Sequence, residues 1–204
     1  MGRSDYYNDL KALAREKRAL HNVSTSRFGL REARQIYKAE GIRIDLWRLP
    51  YKIKALYMCA DGDSTVAIQK SLPDEPKLFA LMHEYKHHLT DRAVLGNGFI
   101  HCGDYNANQE IEVGAEVFAA EFIYPESEFA IEVQRLNIST WKAEDVVRFK
   151  RGCQSKVSYT FICKRLEWFG LIPSGKFVGT QFQKLEGQMF GVPFYRRRQT
   201  ARAR

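Results

Sequence analysis

Five consecutive residues, His83-Glu84-Tyr85-Lys86-His87, combine side chains that bind metals with one that transfers protons, and they match the pattern HExxH. Residues four apart on an α-helix are separated by about 400° of rotation, so the two histidines project from one face, about 40° apart. Both imidazoles can then reach a single zinc ion at about 2.0–2.1 Å. Glu84 lies about 100° around the helix, where it cannot be a ligand but can hold the water that the metal polarises. The pattern predicts a zinc site with Glu84 as general base.

A catalytic zinc site needs a third protein ligand, and the next apolar segment of the chain offers several carboxylates. The candidates are Glu110, Glu112, Glu116 and Glu121, in and just before the stretch IEVGAEVFAAEFIYP. Carboxylates on so apolar a helix are costly to bury unless they are paired or bind a cation. Glu112 and Glu116 lie one helical turn apart on one face. One of them can be the ligand while the other accepts the free ring N–H of a metal-bound histidine.

Three other side chains close to the motif are assigned places outside the set of metal ligands. Lys86 is expected to point to solvent. His88 is separated from His83 by about 140° around the helix, so it is expected to be structural or solvated. His101, in the segment that follows, is considered as an oxyanion donor above the site, although a loop histidine more often has no such role.

The surrounding sequence predicts the helices and the small sheet that must position these residues. Helical periodicity favours helices over residues 5–19 and 30–40, the second ended by Gly41. Alternation in GIRIDLWRL predicts a half-buried strand, and a polar turn predicts a hairpin after it. The hairpin strands are assigned to 52–60 and 65–70, followed by the motif helix, a long loop over 91–108, an apolar helix over 109–124 and helices over 126–137, 140–150 and 158–169. This order indicates an α+β fold with a mostly helical C-terminal part.

The composition excludes several classes of protein. The chain has 204 residues, of which 45% are hydrophobic and 27% charged, so a disordered or collagen-like chain is excluded. No apolar run approaches the roughly 18 residues that span a bilayer, and the N-terminal residues lack the apolar core of a signal peptide. Four scattered cysteines form no CxxC pair. We therefore expect a cytoplasmic protein that does not associate with a membrane.

The net charge of +8 is unevenly distributed along the chain. Residues 1–54 carry +7, residues 55–195 carry −4, and the last nine residues carry +5. A basic surface suits nucleic-acid binding but also serves solubility alone. The acidic middle, which contains the HExxH motif, is where chemistry is expected, and the Arg-rich end is expected to be disordered.

The segment from about residue 30 to residue 172 resembles the ImmA/IrrE-type zinc metallopeptidases of bacteria and mobile elements. The resemblance lies in LFALMHEYKHHL, in the helix with Glu112, Phe118-Ala119-Ala120 and Pro125, and in VSYTFICKRLEWFGLI. Two positions depart from the family pattern. HEYKH replaces the usual HELGH, and Gly114 stands where the family often has glutamate.

The resemblance implies a fold, a site and a substrate. The fold is a zincin-like metallopeptidase domain over 29–172, between a basic N-terminal helix over 1–28 and a Gly- and aromatic-rich tail over 173–204. The implied zinc ligands are His83, His87 and Glu112, with Glu84 as general base. This leaves Glu116, on the same helix face as Glu112, as the outer partner of a ligand and as the second choice for the third ligand. Because such proteins tend to cleave a helix-turn-helix repressor, the implied partner is a DNA-binding repressor cut in trans.

Two alternatives to a peptidase are compatible with the sequence. The basic ends and two short helices around GCQSKVS, within 140–172, allow a nucleic-acid-binding regulator. A peptidase fold that binds the repressor without cutting it is the other alternative. Glu84 argues against the second, because a protein that only binds has no use for a general base.

Overall fold

The computed structural model describes residues 2–50, 52–95, 98–101 and 105–191, which form two compact units. The first unit extends to Phe129 and includes Gln154–Lys156, and the second comprises Ala130–Cys153 and the described residues from Val157 onward. The helices and strands, in chain order, are α1 (Arg3–Leu20), α2 (Leu30–Ala39), β1 (Ile42–Trp47), β2 (Ala55–Ala60), β3 (Asp63–Gln69), α3 (Asp74–Lys86), a π-helix (His87–Asp91), α4 (Arg92–Leu95), β4 (Gly98–His101), α5 (Tyr105–Ile123), α6 (Glu126–Leu136), α7 (Ala143–Gly152), α8 (Tyr159–Trp168) and α9 (Phe182–Phe190). The α+β class predicted from the sequence is confirmed.

The described strands form one mixed sheet in the order β1-β3-β2-β4. β1 runs parallel to β3, whereas β2 is antiparallel to both β3 and β4. The β2–β3 hairpin is the one predicted, and it closes through Asp61 and Gly62, whose φ angles of 50° and 87° are both positive. A two-residue loop with two positive φ angles matches the twist of the strands it joins, which is why Asp-Gly is favoured there. The predicted hairpin is therefore confirmed.

The helix that carries HExxH is covered by the sheet on one side and by α5 on another. Its buried apolar residues include Leu78, Leu81 and Met82, and Tyr85 packs edge-on against the rings of Phe118 and Phe122 of α5. Each such side chain stabilises the fold by about 1.5–3 kcal/mol relative to an exposed one. The packing therefore holds the motif in the interior between two rigid elements.

α1 packs along α5 and belongs to the same compact unit as α3. Ion pairs hold its polar side, from Lys11 to Glu126 at 2.8 Å and from Arg15 to Glu121 at 2.9 Å. Glu121 is thus paired with an arginine, which resolves the cost of burying one of the four carboxylates on the apolar helix. The limits of the predicted metallopeptidase domain, residues 29 and 172, remain predictions.

Gly114 of α5 lies against side chains of α1. A Cβ atom at this position would lie 2.7 Å from Tyr6 Oη and 2.8 Å from Leu10 Cδ1, closer than such atoms pack. The departure from the family pattern at Gly114 therefore has a local cause, because α1 occupies the space that a side chain would need.

Gly114→Ala is expected to destabilise the protein although alanine is the better helix former. The overlap with α1 costs about 1–3 kcal/mol, which exceeds the about 0.5–1 kcal/mol gained from helix propensity. Urea unfolding followed by circular dichroism measures the difference. Gly152→Ala is the matched control: apart from its chain neighbours and the nearby backbone of its own helix, no atom lies within 4 Å of the added Cβ, and the substitution should not destabilise the protein. Equal or greater stability of Gly114→Ala would contradict the close packing.

The second unit is helical over the residues described. α8 starts at Ser158, whose side chain accepts a hydrogen bond from the backbone N–H of Phe161 at 3.1 Å. α9 attaches through Phe182, which stacks on Tyr159 at 4.7 Å between ring centroids, and through a hydrogen bond from the Tyr159 hydroxyl to Glu186 at 2.9 Å. The sequence assigns no helix to this part of the Gly- and aromatic-rich tail, because a nine-residue helix containing glycine has little intrinsic stability and depends on such packing.

The predicted long loop over 91–108 is wrong over most of its described length. Asp91 ends the π-helix, Arg92–Leu95 form a short helix, Gly98–His101 form the edge strand β4, whose partner is β2, and α5 begins at Tyr105 instead of at residue 109. A four-residue strand lacks a detectable alternation and is stable only through its neighbour, so no local signal could reveal it.

The Arg-rich end, predicted to be disordered, lies outside the described residues. Over the part of the chain that the structure describes, no helix combines the length and apolarity that crossing a bilayer requires.

Candidate metal centre

The two motif histidines face each other at the C-terminal end of α3. Their ring centroids are 5.0 Å apart and their planes are inclined by 65°. His83 is 6% exposed and His87 is fully buried, because α5 and the sheet cover this face of the helix. The helical spacing therefore brings two imidazoles together in the interior, as the sequence predicted.

Glu112 of α5 completes a group of three ligand-type side chains. Its Oε2 atom lies 3.3 Å from Nε2 of His83, and its Oε1 atom lies 3.6 Å from Nε2 of His87. One ligand atom from each of the three residues lies within 4.8 Å of the other two, a separation that suits a common cation. Among the described residues, Glu110 and Glu116 do not join this group.

Four buried atoms of this group have no hydrogen-bond partner. They are the Nε2 atoms of His83 and His87 and both carboxylate oxygens of Glu112, whose side chain is only 1% exposed. Buried polar atoms without partners are rare because each carries a desolvation cost. Two imidazole nitrogens and a carboxylate are ligands that zinc accepts, so the donor set fits a divalent cation.

Glu84 is buried beside the histidines. It follows His83 on α3 and is 0% exposed. Its neighbouring position in the helix directs it away from the face that the two histidines share. The structure therefore places the residue predicted as general base in the interior next to the group, without making it a member of the group.

Asp91 contacts the group and was not recognised in the sequence. Its Oδ2 atom lies 2.6 Å from Nδ1 of His87, four residues earlier. Burial raises the pKa of the Asp91 carboxyl, but hydrogen bonds from His87 and Lys86 outweigh it and hold the pKa below its ordinary value. The sequence signal that could have revealed Asp91 is a carboxylate four residues after a histidine, since side chains at this spacing meet on a helix.

The role predicted for Glu116, as outer partner of a ligand, stays a prediction.

The expectation that Lys86 points to solvent is wrong. The side chain is fully buried, and its Nζ atom lies 2.9 Å from Oδ2 of Asp91. Helical spacing assigns Lys86 to a face of the helix but does not reveal whether that face is covered. His88 is also partly buried, and its Nδ1 atom lies 3.1 Å from the Tyr57 hydroxyl. Burial lowers the pKa of His88 below its ordinary value.

A separate polar cluster holds the motif helix against α2. The Tyr85 hydroxyl donates a hydrogen bond of 2.6 Å to Glu40, which His21 and Lys17 also contact, at 3.0 and 3.3 Å. Burial raises the pKa of Glu40, but the hydrogen bonds from Tyr85, His21 and Lys17 outweigh it and leave the pKa below the ordinary value. Burial likewise raises the pKa of Tyr85. The central residue of the motif therefore serves the packing and not the metal group.

An α+β unit in which a buried HExxH helix meets a glutamate from a later helix, here α5, is typical of zincin-like metallopeptidases. Comparison with known families agrees, because residues 41–167 match the model of the IrrE N-terminal-like domain, Peptidase_M78. The chain belongs to this metallopeptidase family. No curated protein matches the chain significantly.

Proposed function

We propose that this protein is a zinc-dependent endopeptidase that cleaves one specific protein partner, a helix-turn-helix repressor, in trans. The observation that carries the enzymatic part is the buried group of His83, His87 and Glu112, with four polar atoms that have no hydrogen-bond partner. In this proposal these three residues hold the metal. Zinc in such a site supplies Lewis acidity, which polarises the scissile carbonyl and lowers the pKa of the attacking water.

Glu84 performs the proton transfers in this mechanism. It accepts a proton from the water as the water oxygen bonds to the carbonyl carbon. It donates the proton to the amine nitrogen as the carbon–nitrogen bond breaks, so that one acid and one amine are released. The interior position of Glu84 supports this role, because a side chain held by the surrounding packing needs little reorganisation during the reaction.

The choice of a DNA-binding repressor as substrate is supported by the family resemblance and by charge. Residues 55–195, which contain the candidate site, carry a net charge of −4 within a chain of net charge +8, and DNA-binding proteins are basic. Opposite charges favour the approach of a basic protein to this acidic part of the chain. This substrate is not required by the chemistry of the site, which acts on any peptide bond that reaches it.

The test uses the full chain with the helix-turn-helix repressor encoded nearest to its gene. Elemental mass spectrometry measures the zinc content, and intact mass spectrometry identifies the cleavage products. We expect about one zinc per chain, a single cut, loss of cleavage after treatment with a chelator and recovery when zinc is returned. Zinc without cleavage would remove this repressor as the substrate. Absence of zinc, even after zinc is added back, would overturn the peptidase and favour a protein that binds its partner without cutting it.

A further inference from the structure

Lys86, inside the HExxH motif, is buried in a way that lysine side chains almost never are unless they are paired. Its Nζ atom contacts both carboxylate oxygens of Asp91, at 3.2 and 2.9 Å, and the backbone carbonyl of Ile111 at 3.3 Å. The ring of Tyr6 from α1 lies 5.9 Å from the same atom. All three hydrogen-bond donor positions of the lysine therefore have an acceptor or an aromatic ring nearby.

The π-helix after the motif makes this contact possible. In an α-helix, residues five apart are separated by about 140° and lie on different faces. The π-helix over His87–Asp91 has the wider turn of i→i+5 hydrogen bonding, which brings Asp91 closer to the side of Lys86 than an α-helix would. The same carboxylate is four residues from His87, so the local widening of the helix lets Asp91 face both neighbours.

Asp91 also determines which nitrogen of His87 faces the metal group. Its Oδ2 atom accepts a hydrogen bond from Nδ1 of His87 at 2.6 Å, since a carboxylate can only accept. The Nε2 atom of His87, 3.6 Å from Oε1 of Glu112, is then left with a free lone pair. The oxygen that holds His87 is the one that lies 2.9 Å from Lys86.

We propose that Lys86 is a positioning residue of the metal centre: it holds the Asp91 carboxylate in the orientation that fixes the His87 ring and its tautomer. The inference rests on the metal site proposed above. In this proposal Lys86 acts through Asp91, because its side-chain hydrogen bonds go to Asp91 and to the backbone carbonyl of Ile111. Without it, Asp91 loses two hydrogen bonds and turns toward water, to which it is already 14% exposed.

A double-mutant cycle on metal affinity tests this chain of contacts. The variants are Lys86→Met, Asp91→Asn and the double variant, and zinc affinity is measured by competition with a chromophoric chelator. Loss of an outer partner of a metal ligand weakens binding about 10–100-fold, so we expect each single variant to fall in that range. Lys86→Met and Asp91→Asn both act on His87 through the Asp91 carboxylate. The double variant should therefore have about the same zinc affinity as whichever single variant binds zinc less tightly.

Controls separate positioning from general destabilisation. Lys11→Met removes another lysine–carboxylate pair, with Glu126, far from the motif in the sequence, and should leave zinc affinity unchanged. The absorption spectrum of the Co²⁺-loaded protein reports ligand geometry, and it should change in Lys86→Met but not in Lys11→Met. If Lys86→Met does not fold, Lys86→Gln replaces it, with a smaller loss because its amide still donates to Asp91.

The outcomes distinguish this inference from the proposed function. Wild-type zinc affinity and an unchanged cobalt spectrum in folded Lys86→Met would overturn the positioning role while leaving the metal site in place. Losses that multiply in the double variant would overturn the path through Asp91. Failure of the wild type itself to bind zinc or cobalt would overturn both the metal site and the inference. Non-additive losses with an altered spectrum would support the inference.

Discussion

Glu84→Gln is expected to lower kcat/KM for peptide-bond cleavage by about 10²–10⁴-fold while the zinc content stays at the wild-type level. Glutamine has nearly the shape of glutamate, so it keeps the packing of this fully buried side chain. It cannot accept a proton from water, and the reaction loses its general base. Intact mass spectrometry of the repressor follows cleavage, and elemental mass spectrometry on the same samples follows the metal.

Glu75→Gln is the matched control for this variant. It changes a carboxylate of the first turn of the same helix, outside the motif, and should keep activity close to wild type. Cleavage by Glu84→Gln at the wild-type rate would exclude Glu84 as general base. Loss of zinc together with activity would instead give Glu84 a role in holding the metal, contrary to the geometry of the group.

Glu112→Gln is expected to weaken zinc binding by more than about 100-fold, beyond the range for outer partners of a ligand. The substitution replaces one carboxylate oxygen with an amide nitrogen and removes the charge that balances the cation. The fold should persist, since a neutral amide next to His83 and His87 carries a smaller burial cost than an unpaired carboxylate. Chelator competition measures the affinity, and thermal unfolding of the metal-free protein checks the fold.

Glu116→Gln is the comparison that identifies the third ligand. It lies one helical turn from Glu112 but outside the group of converging ligand atoms in the described structure. It should therefore lose less zinc affinity than Glu112→Gln, by at least about tenfold. The reverse order would shift the ligand by one turn of α5, and equal losses would mean that both carboxylates contribute directly.

Much of the candidate site follows from local rules. Two histidines four residues apart meet on any helix, and the apolar periodicity around them already predicts a helix. The hairpin was predictable because Asp61-Gly62 supports the two positive φ angles of its turn. The glutamates on an apolar segment indicated a metal ligand or an ion pair; the structure places Glu112 in a group that could hold a metal ion and pairs Glu121 with Arg15.

The choice among those glutamates could not be made from periodicity. Glu112 and Glu116 share a face of α5, and only the crossing of α3 and α5 selects the one that meets the histidines. The strand β4 and the helix α9 escaped prediction for a related reason. Each is short and is stabilised by a partner distant in sequence, β2 in one case and Tyr159 in the other.

The sequence by itself determined which chemical groups are available: a pair of imidazoles four residues apart, a carboxylate beside them and further carboxylates on the apolar segment that forms α5. Only the tertiary structure decided that Lys86 lies in the interior, that Asp91 forms a hydrogen bond with His87 and that the absence of a side chain at Gly114 leaves room for α1. The physical reason is that helical angle assigns a side chain to a face, whereas burial and partners depend on what packs against that face. A lysine on a covered face needs a carboxylate, and here that carboxylate also contacts a residue of the candidate metal site.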